Sequence, residues 1–396
     1  MDKKKISVIG LGYIGLPTAA LLANKGFQVE GIDIDQSIVD TVNSGKIHIV
    51  EPNLENYVEK AVKEKCLHAS LTPSESDIFI IAVPTPFHEG YTPNIDYIIS
   101  ATKMIAPFIK KNNIVILEST SPVGTTEKIE QILKEEGINT KHIYISHCPE
   151  RVLPGNIMKE LVYNDRIVGG INPQSTKKTI DFYNKFVEGE IFPTNAKTAE
   201  MAKLTENSFR DVNIAFANEL SILCDNLNID INELIELANR HPRVNILNPG
   251  PGVGGHCIAV DPWFIINKDP ENAKIIKLAR EINLYKTQWV IEKIKDAALE
   301  FEKANGKKPI IACFGLAFKP DIDDLRESPA LYIAQELNQN GYKILAVEPN
   351  INNHPSLQLV NIREANDNAD IFTMLVAHKE FKKLNIKTDL DFCGLL

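Results

Sequence analysis

The feature that most restricts the fold of this chain is a turn near its N-terminus, Gly10-Leu-Gly12-Tyr-Ile-Gly15. A short apolar run, residues 5–10, precedes the turn, and a helical stretch, residues 17–25, follows it. Gly10 permits a tight turn, Gly12 lets the backbone approach a pyrophosphate, and Gly15 lets the helix pack closely on the strand. We therefore predict the first strand, turn and helix of an α/β sheet, with a dinucleotide at the helix N-terminus.

An acidic residue after the second predicted strand indicates which dinucleotide is bound. Residues 27–32 form that strand, and Asp33 follows it, close to the spacing of about 20 residues that this motif uses. A carboxylate there accepts hydrogen bonds from the ribose hydroxyls and repels a 2′-phosphate. The sequence therefore predicts NAD rather than NADP as the cofactor. A tight turn without any ligand is the alternative interpretation of the glycines alone.

Further strand and helix signals extend the N-terminal pattern. Apolar runs at residues 78–83, 114–118 and 142–146 are typical of buried parallel strands. Alternation of such strands with helices favours a parallel sheet that is covered by helices on both faces. We predict an N-terminal NAD-binding Rossmann domain at residues 1–195.

The middle of the chain has a helical pattern. Long helical stretches cover about residues 198–239 and 273–303, on either side of a Gly/Pro-rich loop at residues 248–256. The first stretch lacks Gly and Pro and is long enough to supply a large apolar face. We predict a helical central domain at residues 196–304 that carries a catalytic cysteine and forms a homodimer.

Strand and helix signals return after an expected linker at residues 305–309. Predicted strands lie at residues 309–314, 342–347 and 371–376, and a predicted helix at residues 329–340 ends before Gly341. We predict a C-terminal Rossmann-like domain at residues 305–396. The expected fold class is α/β, with two doubly wound parallel-sheet domains joined by a helical central domain.

Composition excludes several classes of protein. The chain has 396 residues, with 44% hydrophobic and 24% charged residues, values typical of a globular protein and too apolar for disorder. The net charge of -9 argues against a nucleic acid or an anionic membrane as partner. Six cysteines occur without a C-x-x-C pair, which favours a reducing cytoplasm and no metal site.

One cysteine lies at the end of a glycine-rich loop, Gly250-Pro-Gly-Val-Gly-Gly-His-Cys257. Gly254 and Gly255 are expected to leave room for a substrate beside the thiol, and Asp261 follows four residues later. A thiolate is a good nucleophile toward an aldehyde, and the thioester derived from it reacts with water. The alternative is that Cys257 is a small buried hydrophobic residue.

Three donors recur on one face of the first long helical stretch. Lys203 and Asn207 are four residues apart, and Arg210 follows at helical spacing. Such a row of donors can bind an anion or a developing alkoxide. A solvated polar face is the alternative interpretation of the same pattern.

Several longer motifs together resemble the UDP-sugar 6-dehydrogenase family. They are GLGYIGLP, ESTSPVGT at residues 118–125, CPERVLPG at 148–155, and the segments 199–220, 239–263 and 314–330. The forms of CPERVLPG and of segment 239–263 resemble the branch of the family that acts on N-acetylamino sugars. UDP-N-acetyl-D-mannosamine is therefore the expected substrate, and UDP-N-acetyl-D-glucosamine is the alternative.

The resemblance implies a four-electron oxidation of the C6 hydroxyl to a carboxylate, with two NAD and one water. Cys257 would capture the aldehyde as a thiohemiacetal and later carry a thioester. Lys203 and Asn207 would stabilise the oxygen anions on C6, and Asp261 would orient a water or the lysine. Glu150 would assist hydrolysis of the thioester. A two-electron NAD-dependent dehydrogenase and an NAD-binding regulatory protein with a degenerate site are the rival interpretations.

The resemblance also implies two sets of binding residues. Positions expected around NAD are Gly10, Gly12, Tyr13, Ile14, Gly15, Asp33, Thr85, Arg326 and Thr120, the last on the nicotinamide side. Positions expected around the UDP-sugar are Arg151, Val152, Lys203, Asn207, Arg210, His241, Arg243, Gly254, Phe318 and Lys319. Arg243, rather than Arg240, is expected to reach the substrate of the neighbouring subunit.

The chain departs from the family pattern in three places. Pro154 stands where the glucose branch often carries a second glutamate, four residues after Glu150, which argues against UDP-glucose. Cys393 stands where many relatives carry a basic residue in an Asp-x-Arg/Lys-Gly turn, so a cation for the nucleotide is missing there. The segment between residues 135 and 142 is short and is expected to form a tight connection.

Overall fold

The structure is a computed structural model that describes residues 4–383 and 388–395. The chain divides into two compact units, Met1–Thr205 and Glu206–Leu396. The division into three domains with boundaries after residues 195 and 304 stays a prediction.

The first unit is built on a sheet of eight strands among the described residues. Their order across the sheet is β3-β2-β1-β4-β5-β6-β7-β8. The strands are β1 (Lys5–Ile9), β2 (Gln28–Ile32), β3 (Leu67–Ser70), β4 (Ile78–Ile81), β5 (Ile114–Leu117), β6 (Tyr144–His147), β7 (Arg166–Gly170) and β8 (Ile191–Asn195). The order reverses direction between β1 and β4, the position at which such sheets bind ligands at the carboxyl ends of their strands.

Helices cover both faces of this sheet, so its central strands are apolar on both sides. Ile80 belongs to the core cluster on one face and its neighbour Ile81 to the cluster on the other. The helices of the first unit are α1 (Gly15–Asn24), α2 (Gln36–Asn43), α3 (Leu54–Lys63), α4 (Asp96–Ile105), α5 (Thr125–Glu135), α6 (Ile157–Tyr163) and α7 (Pro173–Tyr183).

The sheet confirms the predicted fold class and differs from the prediction in detail. Strand β6 begins at Tyr144, because Thr140–His142 forms a 3-10 turn. Strand β7 pairs antiparallel with β6, whereas the other strand pairs are parallel. The sequence prediction did not include strands β3, β7 and β8. Strand β8 is partly exposed and lacks an apolar run.

The predicted helical stretch at residues 198–239 is two helices. Helix α8 (Ala196–Leu227) runs from the first unit into the second, and α9 (Ile231–Ala238) follows it. Asn228 has a φ of 55°, and the Asp230 side chain accepts hydrogen bonds from the N–H groups of the next helix. A left-handed residue followed by an N-cap ends one helix and begins another.

The rest of the second unit, as far as the structure describes it, contains four more helices and a second sheet. The helices are α10 (Asp261–Lys268), α11 (Lys274–Asn305), α12 (Pro329–Gln339) and α13 (Ile362–Asn368). The described strands β9 (Ile310–Phe314), β10 (Lys343–Val347), β11 (Ile371–Met374) and β12 (Leu390–Asp391) are parallel, in the order β10-β9-β11-β12. Gly341, with a φ of 83°, follows α12 as predicted. Among the described residues, no helix combines the length and apolar character that a membrane span requires.

Candidate active site

The glycine turn after β1 leaves an open surface at the N-terminus of α1. A Cβ atom on Gly10 would lie 2.6 Å from the Ala82 carbonyl oxygen, and one on Gly15 would lie 1.8 Å from the Gly10 carbonyl oxygen. Packing therefore requires glycine at both positions. Gly12 is exposed, and a Cβ there would meet no atom within 4 Å. The space beside Gly12 fits a pyrophosphate approaching the first N–H groups of the helix.

Asp33 is hydrogen-bonded to this turn and to the residue two positions later. Its Oδ2 accepts a hydrogen bond from the Leu11 N–H at 3.0 Å, and its Oδ1 accepts one from the Asp35 N–H at 3.1 Å. The side chain is half-buried. Because each carboxylate oxygen accepts two hydrogen bonds, Asp33 retains acceptor capacity for ribose hydroxyls. The residues of the turn thus fit NAD.

Two further predicted cofactor residues contact each other at the carboxyl ends of β4 and β5. The Thr85 hydroxyl donates a hydrogen bond to the Thr120 carbonyl oxygen at 2.8 Å. Tyr13 is exposed and Ile14 is half-buried beside the glycine turn. Arg326 lies in the second unit, where its guanidinium forms two hydrogen bonds with the Asp324 carboxylate.

Glu150, the predicted hydrolytic carboxylate, is buried and holds two partners. Its Oε1 accepts a hydrogen bond from the Arg151 N–H at 2.7 Å, and its Oε2 lies 3.1 Å from Nη1 of the buried Arg166. A residue predicted to act on a water is therefore tied to a buried cation. Arg166 was not among the sequence-predicted site residues.

Glu150 and Arg166 belong to a cluster of buried ionisable groups that also contains Glu118, Cys148 and Tyr183. The Tyr183 hydroxyl donates to Glu118 Oε1 at 2.8 Å, and the Arg166 guanidinium lies 4.9 Å from the centre of the Tyr183 ring. Burial, together with the charge of Glu150, raises the pKa of Glu118 to about 7. Burial also raises the pKa of the Cys148 thiol to about 11. The acidic residue of the ESTSPVGT motif was the available sequence signal for this cluster.

The loop of the CPERVLPG motif is fixed by acceptors from outside the motif. The buried Glu51 accepts hydrogen bonds from the N–H groups of Gly155 and Ile157 at 2.7 and 2.8 Å. Glu160 Oε2 accepts the Leu153 N–H at 2.7 Å. These contacts hold the loop that carries the predicted substrate residues Arg151 and Val152, both half-buried.

Lys203 lies on α8, which is anchored in the first unit by a buried acid. Glu200 accepts hydrogen bonds from the N–H groups of Gly124 and Thr126 at 2.6 and 2.7 Å. Lys203 itself is half-buried. Burial, assisted by the positive charge of Lys203, lowers the pKa of the fully buried His147 to about 3. His147 is therefore a neutral imidazole at pH 7.

In the second unit, three of the predicted catalytic residues lie on neighbouring segments. The buried Asn207 donates from Nδ2 to Asp261 Oδ2 at 2.5 Å. The Asp261 N–H donates to the Cys257 carbonyl oxygen at 2.8 Å, at the beginning of α10. Cys257 is exposed, whereas Cys66, Cys148, Cys224 and Cys313 are buried. The most accessible thiol therefore belongs to a residue whose backbone is bonded to Asp261, the partner of Asn207.

The glycines before Cys257 pack closely against the loop that follows β9, and the expected room for a substrate beside them stays a prediction. A Cβ on Gly254 would lie 2.4 Å from the Glu327 carbonyl oxygen, and one on Gly255 would lie 2.8 Å from the Phe318 ring. Phe318 and Glu327 belong to the loop after β9, and they fill that space. The Gly255 N–H also donates to the Arg326 carbonyl oxygen at 3.2 Å.

The remaining predicted substrate residues lie on exposed or half-buried segments of the second unit. Lys319 is half-buried next to Phe318, and Arg210, His241 and Arg243 are exposed. Arg240 forms an ion pair with Glu236 one turn earlier in α9. The choice of Arg243 over Arg240 stays a prediction.

The C-terminal turn is held by Asp391. The Asp391 carboxylate accepts hydrogen bonds from the N–H groups of Cys393, Gly394 and Leu395. Cys393 is half-buried. The aspartate therefore builds this turn, and the residue at position 393 is not needed for its geometry.

Family models match the chain in three consecutive segments. Residues 4–187 match the NAD binding domain of the UDP-glucose/GDP-mannose dehydrogenase family. Residues 197–285 match its central domain, and residues 312–391 match its UDP binding domain. The chain belongs to this family. It is an NAD-dependent dehydrogenase, as the glycine turn and Asp33 predict.

Full-length relatives agree with the family assignment. The chain is 56% identical to UDP-N-acetyl-D-mannosamine dehydrogenase of Campylobacter jejuni, over 98% of this chain and 99% of the relative. It is 51% identical to NDP-N-acetyl-D-galactosaminuronic acid dehydrogenase of Ralstonia nicotianae, over 97% and 93% of the two chains. The solved UDP-D-ManNAc dehydrogenase of Pyrococcus horikoshii has a TM-score of 0.90 and 38% identity, covering 99% of this chain and 96% of that chain.

Proposed function

We propose that the protein oxidises C6 of UDP-N-acetyl-D-mannosamine to the carboxylate, giving UDP-N-acetyl-D-mannosaminuronic acid. The observation that carries the substrate assignment is the 56% identity, over almost the whole of both chains, to a dehydrogenase of that sugar. The chemistry is supported by the exposed Cys257, whose carbonyl oxygen accepts the Asp261 N–H, and by the hydrogen bond between Asn207 and Asp261. The balanced reaction consumes two NAD⁺ and one water and releases two NADH and three protons.

The cofactor is held by the glycine turn, Asp33, Thr85 and Thr120. When bound, NAD supplies the acceptor for the two electron pairs that leave C6. Gly12 allows close approach of the pyrophosphate, and Asp33 accepts hydrogen bonds from the ribose.

The first oxidation acts on the C6 alcohol, and the second acts on an adduct that is bound covalently to Cys257. In the first, Lys203 and Asn207 stabilise the oxygen of C6 as it loses its proton. The Cys257 thiol then adds to the aldehyde: a C–S bond forms, and the thiol proton passes to the carbonyl oxygen. Oxidation of this thiohemiacetal leaves a thioester on Cys257.

Hydrolysis of the thioester requires a water and a group that accepts its proton. We assign this step to Glu150, with Asp261 orienting the water or Lys203. Glu150 accepts one hydrogen bond from the Arg151 N–H and one from Arg166, which leaves acceptor capacity on a carboxylate. The thioester carbon takes the hydroxyl oxygen, the C–S bond breaks, and the thiol is restored.

A panel of UDP-sugars tests the substrate. UDP-N-acetyl-D-mannosamine, the N-acetylglucosamine and N-acetylgalactosamine epimers and UDP-glucose are each supplied with NAD, and NADH is followed by absorbance. We expect the mannosamine to give the highest kcat/KM and two NADH per sugar. If UDP-glucose were the best substrate, or one NADH formed per sugar, the proposal would be wrong. The 51% identity to the galactosaminuronic acid enzyme makes UDP-N-acetyl-D-galactosamine the second candidate.

Substitution of the nucleophile tests the covalent mechanism. Cys257→Ser replaces a thioester by a more stable ester, so we expect an acyl-enzyme that adds the mass of the UDP-sugar acyl group. Cys257→Ala should bind UDP-sugar and NAD but form no acid. Full turnover to the acid by Cys257→Ala would refute the covalent route.

We also propose a homodimer that is formed through the central helices. Large apolar side chains are exposed at seven-residue intervals on α8, namely Phe209, Phe216 and Leu223. Ile275, Leu278 and Tyr285 are exposed along α11. Exposed apolar stripes of this length indicate an interface, and Arg243 is the residue that we expect to reach the partner's substrate. Sedimentation of Phe216→Asp tests the idea, and a fully active monomer would contradict it.

A cytoplasmic location is proposed on the basis of the cysteines. Cys66, Cys148, Cys224, Cys313 and Cys393 are free thiols in the described part of the chain, as expected in a reducing compartment.

A further inference from the structure

A buried chain of polar side chains connects the central helices to the loop that ends at Cys257. Asp211 lies on α8, and Arg280 and Asn283 lie on α11; each is at most 2% exposed. Arg280 Nη1 donates to Asp211 Oδ1 at 2.7 Å, and Asn283 Nδ2 donates to the same oxygen at 2.8 Å. The charged pair thereby fixes which way the Asn283 amide faces.

The chain of hydrogen bonds continues through Asn218 to the loop. With its nitrogen directed at Asp211, Asn283 presents Oδ1 to Asn218, whose Nδ2 donates to it at 2.9 Å. The oxygen of Asn218 is then directed at the loop, where it accepts the Gly250 N–H at 2.9 Å. Each amide orientation follows from the one before it, so the buried ion pair determines the acceptor offered to Gly250.

A second tether holds the next two loop residues. The Thr287 hydroxyl donates to the Pro251 carbonyl oxygen at 2.8 Å. A Cβ on Gly252 would lie 2.3 Å from Thr287 Oγ1 and 3.0 Å from Pro329. Residues 250–252 are therefore held against α8 and α11 by two hydrogen bonds and by close packing at Gly252.

The cluster is not arranged for maximum stability. Asp211 Oδ2 and Arg280 Nε are buried, and neither has a hydrogen-bond partner among the described residues. Burial raises the pKa of Asp211, and the charge of Arg280 offsets only part of that rise. A buried ion pair with unsatisfied atoms adds little stability compared with apolar packing. What the Asp211–Arg280–Asn283 cluster does determine is the orientation of the Asn218 amide.

We propose that Asn218, oriented by the Asp211–Arg280–Asn283 cluster, and Thr287 are positioning residues that hold the Cys257 loop so that the thiol captures the aldehyde before it escapes. The inference rests on the proposed function, since only a reaction with an aldehyde intermediate needs this capture. A displacement of about 1 Å costs a reaction up to about 100-fold in rate. Loosening the loop should therefore impair capture more than the first oxidation.

Two substitutions loosen the loop without touching Cys257. Asn218→Leu removes the acceptor of the Gly250 N–H, and Thr287→Val removes the donor to Pro251. Thr287→Ser retains the hydroxyl and serves as the conservative rescue. Thr373→Val is the matched control, because it removes a buried hydroxyl that donates to the Ala312 carbonyl oxygen in the C-terminal sheet of the same unit.

The measurements are NADH formed per acid formed, aldehyde trapped with hydroxylamine, and hydrogen–deuterium exchange of the peptide 250–257. For Asn218→Leu and Thr287→Val we expect a 10- to 100-fold lower kcat for acid, a change in KM below threefold, and trapped aldehyde that wild type does not release. Exchange of the loop peptide should rise at least tenfold. Thr287→Ser and Thr373→Val should match wild type in all three.

Each outcome decides the inference. The inference would be overturned if a folded Asn218→Leu formed the same NADH per acid as wild type and released no aldehyde. It would also be overturned if Thr287→Val and Thr287→Ser gave the same ratio of NADH to acid. If Asn218→Leu did not fold, the Thr287 pair would give the answer alone. If wild type oxidised no UDP-sugar, the proposed function would fail, whereas loop exchange would still show whether Asn218 and Thr287 hold the loop.

Discussion

The two Rossmann-like sheets of this protein begin with the same turn and then use their acidic residues in opposite ways. Gly10 follows β1 and Gly315 follows β9, with φ values of 92° and 90°. Each glycine N–H donates to the last residues of the neighbouring strand, to Ile32 O at 2.7 Å and to Val347 O at 2.8 Å. Up to this residue the two turns are alike.

The acids at the ends of β2 and β10 then differ in exposure and in partners. Asp33 is half-buried and accepts one N–H from its turn. Glu348 is buried and accepts two, from Leu316 at 2.7 Å and Ala317 at 3.0 Å. His378 Nε2 lies 3.0 Å from the same Glu348 oxygen. Asp33 is available to a ligand, whereas the hydrogen-bonding capacity of Glu348 is used to hold the loop that carries Phe318 and Lys319.

His378, the partner of Glu348, also belongs to a group of three side chains that could hold a metal ion. One ligand atom from each of Asp321, His378 and Glu380 lies within 4.8 Å of the others. His378 Nδ1, however, accepts the Asp321 N–H at 2.9 Å, and its Nε2 faces Glu348. With both ring nitrogens engaged, His378 acts as a brace for the loop. Topology alone therefore does not reveal whether an acid after the second strand binds a ligand.

Substitution of the two shared glycines should have the largest effect. In Gly10→Ala the new Cβ would lie 2.6 Å from a backbone oxygen, and in Gly315→Ala it would lie 2.4 Å from Val376 Cβ. Positive φ adds about 1–2 kcal/mol, so each variant should lose roughly 3 kcal/mol or more, or fail to fold. Gly137→Ala, with a φ of 83° and no neighbour within 4 Å, is the control and should show only the φ cost. Thermal melting measures the stability of all three variants. If Gly10→Ala or Gly315→Ala were no less stable than Gly137→Ala, the two turns would not share the same requirement for glycine.

Removal of Glu348 should have the next largest effect on stability. Glu348→Ala leaves two buried N–H groups and His378 without their acceptor, so we expect the free energy of unfolding to fall by about 3–5 kcal/mol. Asp33→Ala should cost about 1 kcal/mol, because its carboxylate is half-buried. Urea unfolding of both variants gives the comparison directly. Equal losses would show that the two acids have the same structural task.

Removal of Asp33 should instead affect the cofactor. Hydrogen bonds to a charged group contribute about 1.5–3 kcal/mol, so Asp33→Ala should raise the KM for NAD by about 10- to 100-fold. The ratio of kcat/KM for NADP to that for NAD should rise, because the carboxylate no longer repels a 2′-phosphate. Steady-state kinetics with both cofactors are the measurement. If the variant kept the wild-type preference for NAD over NADP, Asp33 would not be a cofactor-binding residue.

The smallest effect concerns the pH dependence of stability, and here two buried acids should act in opposite directions. Glu118 has a folded-state pKa raised to about 7, so its contribution to stability is full below about pH 4.5 and is lost as pH rises to about 7. For Glu348, burial opposes ionisation, but hydrogen bonds from His378 and backbone N–H groups lower the pKa to about 2. Its contribution is full above about pH 4.5 and is lost as pH falls toward 2.

The two substitutions separate these contributions. Glu118→Gln should flatten the decline in unfolding free energy between pH 5 and 7, whereas Glu348→Gln should flatten the decline below pH 4.5. Urea unfolding at intervals from pH 3 to pH 8 measures both slopes. A Glu118→Gln variant with the wild-type slope between pH 5 and 7 would show that Glu118 does not titrate there.

Much of the organisation was predictable from local pattern. The glycine turn, Asp33 and apolar strands such as Ile78–Ile81 follow from spacing and from burial on both faces. Helical spacing with Lys203 singled out Asn207, and the motif around Cys257 singled out Asp261; the structure joins their side chains by a hydrogen bond. Residues such as Arg166, Glu51 and Asn218 were not predictable, because each acts on a partner at least 16 residues away in the chain.

The sequence by itself determined the turn geometry, the choice of NAD and the prediction of a reactive thiol at Cys257, because these depend on residue type at short spacing. Only the tertiary structure decided which acids are free to meet a ligand. Asp33 and Glu348 both follow the second strand of their sheets, yet one stays half-exposed and the other is closed in by Leu316, Ala317 and His378. Burial and long-range hydrogen bonds set the charge and availability of a side chain, and neither is encoded in its neighbours along the chain.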